Sequence, residues 1–349
     1  MENNEFENLL LLLNSTNKEN FLLGLTLAQH HKVACAAYFG CKIEELKELV
    51  DFLLGNKAWN FETSLFEITE LYLEKRNITK IPNAVNILKT LIILDLSNNQ
   101  IKNLPNEIGN LYDLEDLSLC NNQIQNLPNE IGGLLNLKEL DLENNQLQNL
   151  PNEIGNLVSL ALLKLTDNQI QNLPNEIGEL KKLAFLHWNN NQLQSLPSEI
   201  GNLENLQELY LKDNQLRNLP NEIKNLVKLF RLELKNNQLE SLPNEIGNLL
   251  NLKELDLTDN HLQNLPSEIG NLKKLELLCL DNNHLQNLPS EIGNLSNLTR
   301  LYLQNNPLKA LPDSLCNLKN LKVIYVFGTP ENMIIPEKLK EMNVLNYKK

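Results

Sequence analysis

Eleven prolines, Pro82, Pro105, Pro128, Pro151, Pro174, Pro197, Pro220, Pro243, Pro266, Pro289 and Pro312, recur at one fixed interval without an insertion or deletion between them. A spacing held that long requires one short unit used repeatedly, each copy docking on the last, instead of globular domains with separate cores. The unit reads LxxLxLxxNxLxxLPxEIGNLxx, as in Leu137-Lys138-Glu139-Leu140-Asp141-Leu142-Glu143-Asn144-Asn145-Gln146-Leu147 followed by Leu150-Pro151-Asn152-Glu153-Ile154-Gly155-Asn156-Leu157. Its LxL segment alternates apolar and polar positions, the period of a strand with one buried face. So short a strand cannot bury that face alone. Successive units must therefore stack, with a parallel sheet on one side, a continuous leucine core inside and a cap at each end. The 81 leucines and 58 asparagines, two-fifths of the 349 residues, are largely this unit counted again and again.

Asparagine has a fixed place in it. Asn99, Asn122, Asn145, Asn168, Asn191, Asn214, Asn237, Asn260, Asn283 and Asn306 stand where the chain turns inward from the strand. An inward amide carries two donors and an acceptor oxygen, so a stacked column can satisfy the backbone groups of its own turn and of the neighbouring one. The equivalent end positions, Arg76 and Thr329, are not asparagine, as expected where a neighbour is missing. In LPxEIG, proline suits the start of a short helical turn and the recurring glycine suits its end. The glutamates from Glu107 to Glu291 read as a solvated row in the first turn, compatible with the helix dipole.

Ile68 opens the first unit, Leu298 the eleventh and Leu321 a degenerate twelfth. The chain thus divides into an α-helical N-terminal cap at 1–66, eleven repeats at 67–320, and a twelfth repeat with a C-terminal helical cap at 321–349. Apolar spacing predicts short helices over Phe6 to Leu13, Phe21 to Ala28 and Ile43 to Leu54, punctuated by Ser15-Thr16-Asn17 and Gly40. At the other end Val323 to Phe327 reads as a last strand and Ile334 to Tyr347 as a closing helix.

The period and the LPxEIGNL signature resemble the leucine-rich repeat family in its 23-residue class, notably the spirochaete-type bacterial proteins and the cytosolic Ras-associated class. The resemblance covers about 67–320. It implies an α/β solenoid, a horseshoe with a concave parallel β-sheet and short 3-10 or helical turns on the convex side. Residues 10–23 also look like the helical leader of some bacterial repeat proteins. Family members are intracellular scaffolds, secreted effectors that bind host proteins, and surface adhesins.

Other classes lose ground on composition. A net charge of -13 argues against duplex nucleic acid and against an anionic membrane surface. The start is acidic where a secretory signal needs positive charge, and no run approaches the ~20 apolar residues of a membrane span. Five scattered cysteines do not form a disulfide framework. These features favour a cytoplasmic protein, with export from a bacterium by a non-classical route as the alternative. No Walker loop, GxGxxG, GxSxG or HExxH occurs, no cofactor is implied, and the segment 321–349 leaves no room for a catalytic domain of the bacterial ubiquitin-ligase kind. Two groups resemble metal ligands: His30, His31, Cys35 and Cys41 near the start, and His261 with His284, which an offset of one repeat stacks at the strand spacing of about 5 Å. Both read more simply as structural or surface residues.

The outward positions of the strands carry the variation, while the outer face is nearly monotonous. Asp116, Glu139, Asp141 and Glu143 form an acidic zone. Leu162, Phe185, His187, Tyr210 and Arg231 put apolar and aromatic groups on neighbouring strands, edged by Lys164, Lys212 and Lys235. Aromatics and arginine near a centre are the composition of an interface hot spot. Trp188 occupies an inward leucine position and belongs to the core. The expected function is a non-enzymatic, monomeric protein-binding module, with Phe185 and Tyr210 as anchors and Arg231 and the acids setting register. The alternatives are a bacterial effector or surface protein that binds host proteins, and a small-molecule or glycan receptor.

Overall fold

The computed structural model describes residues 3–32, 35, 42–61 and 63–347. Two compact units are present. The first runs through Leu147 and includes Glu153–Leu160; the second comprises Gln148–Asn152 and resumes at Ala161.

The first unit begins with helices α1 (Asn3–Leu13), α2 (Lys18–Ala28) and α3 (Ile43–Gly55). Asn17 caps α2 by accepting from the Asn20 N–H at 3.0 Å. Gly24 lets α2 approach α1 closely, since a Cβ there would be 2.8 Å from that of Leu12. Phe21, Trp59 and Phe61 make an aromatic cluster beneath them, with Phe21 and Trp59 edge-on at 5.0 Å. Strands β1 (Glu70–Tyr72), β2 (Ile93–Asp95), β3 (Asp116–Ser118) and β4 (Glu139–Asp141) then pair in parallel, each residue opposite its counterpart in the next repeat.

The second unit repeats the pattern with β5 (Leu162–Lys164), β6 (Phe185–His187), β7 (Glu208–Tyr210), β8 (Arg231–Glu233), β9 (Glu254–Asp256), β10 (Leu277–Cys279), β11 (Arg300–Tyr302) and β12 (Val323–Tyr325). The middle residue of each strand is buried and its neighbours face solvent. In one coil Leu183, Leu186, Trp188, Leu193, Ile200 and Leu203 are all fully buried, so the core is filled from every side of the unit.

The asparagine column is as the chemistry requires. Asn99 Oδ1 accepts from the N–H groups of Arg76 (3.0 Å) and Ile78 (2.9 Å), and its Nδ2 donates to the carbonyls of Leu73 and Leu96, each at 2.9 Å. Each amide thus serves its own coil and the one before it. Arg76 needs no amide of its own because Asn99 reaches back to it. At the other end Thr329 Oγ1 bonds within its own coil, to the Val326 carbonyl at 2.7 Å.

The turns are short 3-10 segments as the resemblance implies, but the role of their glycines differs from the expectation. The turns after proline are 3-10 segments of five residues, such as Ser198–Asn202, and Pro197 sits at their cap with φ -68°. Their glycines do not provide a left-handed helix end; the only glycine at positive φ among the described residues is Gly328. They provide clearance instead: a Cβ on Gly201 would be 2.5 Å from the Glu222 carbonyl oxygen of the next coil. The left-handed position belongs to the residue before each column asparagine, for example Asn190 at φ 53° and Asp213 at φ 55°. Asn and Asp tolerate that conformation better than other side chains with a Cβ.

The closing helix is also shorter than expected. Pro336 caps a single short helix, α4 (Glu337–Glu341), and the chain then returns as β13 (Leu345–Asn346), which pairs with β12. Backbone pairing to the sheet edge, with the Ile324 N–H donating to the Val344 carbonyl at 2.7 Å, overrides the helical spacing.

Candidate functional site

In the first unit Asp116 stands beside Glu139 and Ser118 beside Asp141. Asp141 Oδ1 accepts from the Glu143 N–H at 3.0 Å, so part of its capacity goes to the turn after β4. These acids form a zone of their own on β3 and β4.

In the second unit the strands bring Leu162, Lys164, Phe185, His187, Tyr210 and Arg231 onto one face. Register sets Leu162 beside Phe185, Lys164 beside His187, and His187 beside Tyr210. The His187 and Tyr210 rings meet edge-on with centroids 4.7 Å apart. Phe185 is neighboured by Glu208, not by Tyr210, so a carboxylate separates the two expected anchors along that row.

That carboxylate is engaged. Tyr210 Oη donates to Glu208 and accepts from Arg231 Nη1 at 3.1 Å, while Arg231 Nη2 pairs with Glu254. Burial and the bond to Glu208 push the Tyr210 hydroxyl above its ordinary value, against the pull of Arg231. The Tyr210 hydroxyl and the Glu254 carboxylate hold Arg231 protonated although burial opposes it. Arg231 is therefore half-buried, with its charge already paired inside the protein. Lys212 and Lys235 are likewise paired, with Asp213 at 3.4 Å and Asp259 at 3.8 Å.

The histidines His261 and His284 are exposed and stack with centroids 5.6 Å apart and planes 4° apart. Nearby Asp259 accepts from Asn282 Nδ2 at 2.6 Å in addition to its lysine. Among the described residues no group of three or more His, Cys, Asp or Glu side chains is placed to hold a metal ion. Near the start, Cys35 is buried against the Ala28 carbonyl and His30 is exposed, so these do not converge; Cys41 lies outside the described residues. Trp188 is fully buried, and its indole N–H has no hydrogen-bond partner.

Three features escaped the sequence reading of the surface. Tyr302 and Tyr325 stack at 4.5 Å on β11 and β12, a contact visible in the row of outward residues as two tyrosines in adjacent units. Cys279 beside them is half-buried, and burial pushes its thiol up to about 12. On the return side, Tyr112, Leu135 and Val158 form an exposed apolar column in the first unit, so that side is less uniform than its glutamates suggest. No helix among the described residues is long and apolar enough to cross a membrane.

The family pattern described as a leucine-rich repeat region matches residues 116–218 and 185–258, and that of the single leucine-rich repeat matches 90–111, 251–272 and 297–318. No curated protein sequence matches the chain significantly. Among solved structures, a leucine-rich-repeat protein of Leptospira interrogans is 40% identical with a TM-score of 0.73, over 80% of this chain and 70% of that one. A TDR receptor is 30% identical with a TM-score of 0.70, over 80% of this chain and 50% of the receptor's. The leucine-rich-repeat part of FLRT2, in an octameric complex with Latrophilin 3 and Unc5D, is 25% identical with a TM-score of 0.62, over 80% of this chain and 90% of that one.

Proposed function

Since the chain belongs to the leucine-rich-repeat family, whose repeats typically serve as protein-interaction modules, we propose that it is a non-enzymatic binding protein, acting as a monomer, that holds a partner protein on its strand face. The observation that carries this reading is the pre-set group on β6–β8. Tyr210 is fixed at its hydroxyl by Glu208 and Arg231 and at its ring by His187, with Phe185 half-exposed alongside. A rigid aromatic loses little rotamer freedom on binding, so most of its contact energy remains as affinity. The FLRT2 repeats, found in a complex with other proteins, support the same use of the fold.

A crosslinked pull-down from the source cell tests it. Capture should fall by the equivalent of over ~2 kcal/mol when Phe185→Ala and Tyr210→Ala are combined. Unaltered capture of a defined partner would sink the assignment.

The second reading is a bacterial effector or surface protein directed at host proteins, of which the likeness to a Leptospira protein supports the bacterial setting. Fractionating the source cell separates this from a cytoplasmic scaffold.

A further inference from the structure

One row of outward side chains crosses β6 to β12, one residue per strand. His187 and Tyr210 come first, Glu233 and Asp256 next, then Cys279, and finally Tyr302 and Tyr325. Two touching aromatic pairs therefore flank two carboxylates. The first pair meets edge-on at 4.7 Å and the second stacks at 4.5 Å.

Glu233 and Asp256 make no ion pair among the described residues, and Asp256 bonds only the Thr258 N–H of its own turn, at 2.9 Å. Of the two cations whose charge pulls on Glu233, Arg231 is committed to Tyr210 and Glu254, and Lys212 to Asp213. Burial pushes the Glu233 carboxyl up against the pull of Arg231, and the negative charge of Asp256 adds to the rise. Asp281, after β10, is raised by burial too. Exposed Arg300 bounds this acidic band on the β11 side.

Resting on the reading of this face as the binding surface, we propose that it takes an extended segment of a partner protein bearing a lysine or arginine between two apolar side chains. The cation lies over Glu233 and Asp256, and each apolar group packs on one aromatic pair. Four strand steps separate Tyr210 from Tyr302, about 19 Å, which an extended segment spans with about six residues. A partner with a carboxylate at the centre is repelled, and one without charge leaves the acids desolvated and unpaired.

The test is selection from a random peptide library displayed on phage. It is run on the full chain, on the Glu233→Gln/Asp256→Asn variant and on the Phe185→Ala/Tyr210→Ala variant; tryptophan fluorescence checks that each is folded. Peptides enriched on the full chain should carry a basic residue with apolar residues on both sides. A synthetic representative should bind about tenfold more weakly when its basic residue becomes glutamate, and lose its charge preference on the Glu233→Gln/Asp256→Asn variant. Enrichment without a basic residue, a charge preference that survives in that variant, or no enrichment overturns the proposal. If peptides without charge preference are lost on Phe185→Ala/Tyr210→Ala, only the present inference falls. If enriched peptides bind that variant equally well, the underlying reading falls as well.

Discussion

Arg231 donates to the Tyr210 hydroxyl at 3.1 Å, and through that bond a surface tyrosine that itself donates to Glu208 on its own strand is also tied to Glu254 on β9. The arrangement converts a flexible arginine into a brace. Tyr210→Phe keeps the ring and removes the brace, so it should cost ~0.5–1.5 kcal/mol of stability, the net worth of ordinary hydrogen bonds. Ultraviolet titration should also lose a tyrosine that ionises late, because burial and Glu208 raise this hydroxyl. Loss of a tyrosine that ionises in the ordinary range instead would show that Tyr210 is not the held group.

The buried asparagine column makes a larger claim. Asn191 Oδ1 accepts from the Ile170 N–H at 3.0 Å, and its Nδ2 donates to the carbonyls of Leu165 at 2.9 Å and Asn189 at 3.0 Å. Asn191→Ala leaves these backbone groups without the amide that pairs them. The expected loss is ~1–3 kcal/mol, read as a lower urea midpoint in tryptophan fluorescence. An unshifted midpoint would count against the column as a stabilising element.

The architecture was legible because every coil repeats the same pattern: once Leu140 and Leu142 read as inward, so does each counterpart. Features that depend on one coil touching the next were harder to see. The turn glycines have the sequence chemistry of helix ends, but the Glu222 carbonyl beside Gly201 requires them for clearance. The pairing of Arg231 is of this kind, because its partner Glu254 stands a full repeat further along the chain, although that offset was itself in the pattern. The expected terminal helix failed for a similar reason, since the free edge of β12 recruits Leu345–Asn346. For the site, composition located the variable face, whereas which charges remain uncompensated required the side chains.

Glycine clearance can be tested by contrast. Gly201→Ala forces a Cβ against the Glu222 carbonyl oxygen, 2.5 Å away, and should cost ~1–3 kcal/mol as overpacking. Gly55→Ala, at the end of α3 with nothing within 4 Å, should gain up to ~1 kcal/mol by reducing the freedom of the unfolded chain. Similar thermal shifts for the two variants would refute clearance as the reason for glycine in the turns.

Acid should relieve the strand face of the second unit. Burial raises Glu233 and Asp281, so both bind protons more readily folded than unfolded. Such a group contributes stability below its unfolded value and loses that contribution as pH rises through its folded value. Glu233→Gln and Asp281→Asn should therefore raise the urea midpoint at about pH 7 and lose that advantage near about pH 3, where the wild-type carboxyls are neutral in both states. In Asp281→Asn the new amide oxygen can still accept from the Gln304 N–H, now bonded to Asp281 at 2.7 Å, so the backbone contact is kept. An advantage equal at both pH values would point to packing instead of charge.

Trp188 sets two effects of similar size against each other. It is the largest fully buried side chain among the described residues, in a column otherwise filled by leucines such as Leu165 and Leu211, and its indole N–H is unsatisfied. Burying an orphan donor costs ~1–3 kcal/mol, while removing part of a large aromatic from the core loses a comparable amount through the space left behind. Trp188→Phe removes the donor and only part of the volume, so the terms should nearly cancel and stability should change by less than ~1 kcal/mol. Trp188→Ala removes the donor as well but empties the position, and should cost ~3–5 kcal/mol. Far-ultraviolet circular dichroism in urea distinguishes the cases without relying on the mutated fluorophore. A Phe variant as damaged as the Ala variant would mean that the indole N–H is satisfied in solution, with a buried water as the simplest partner.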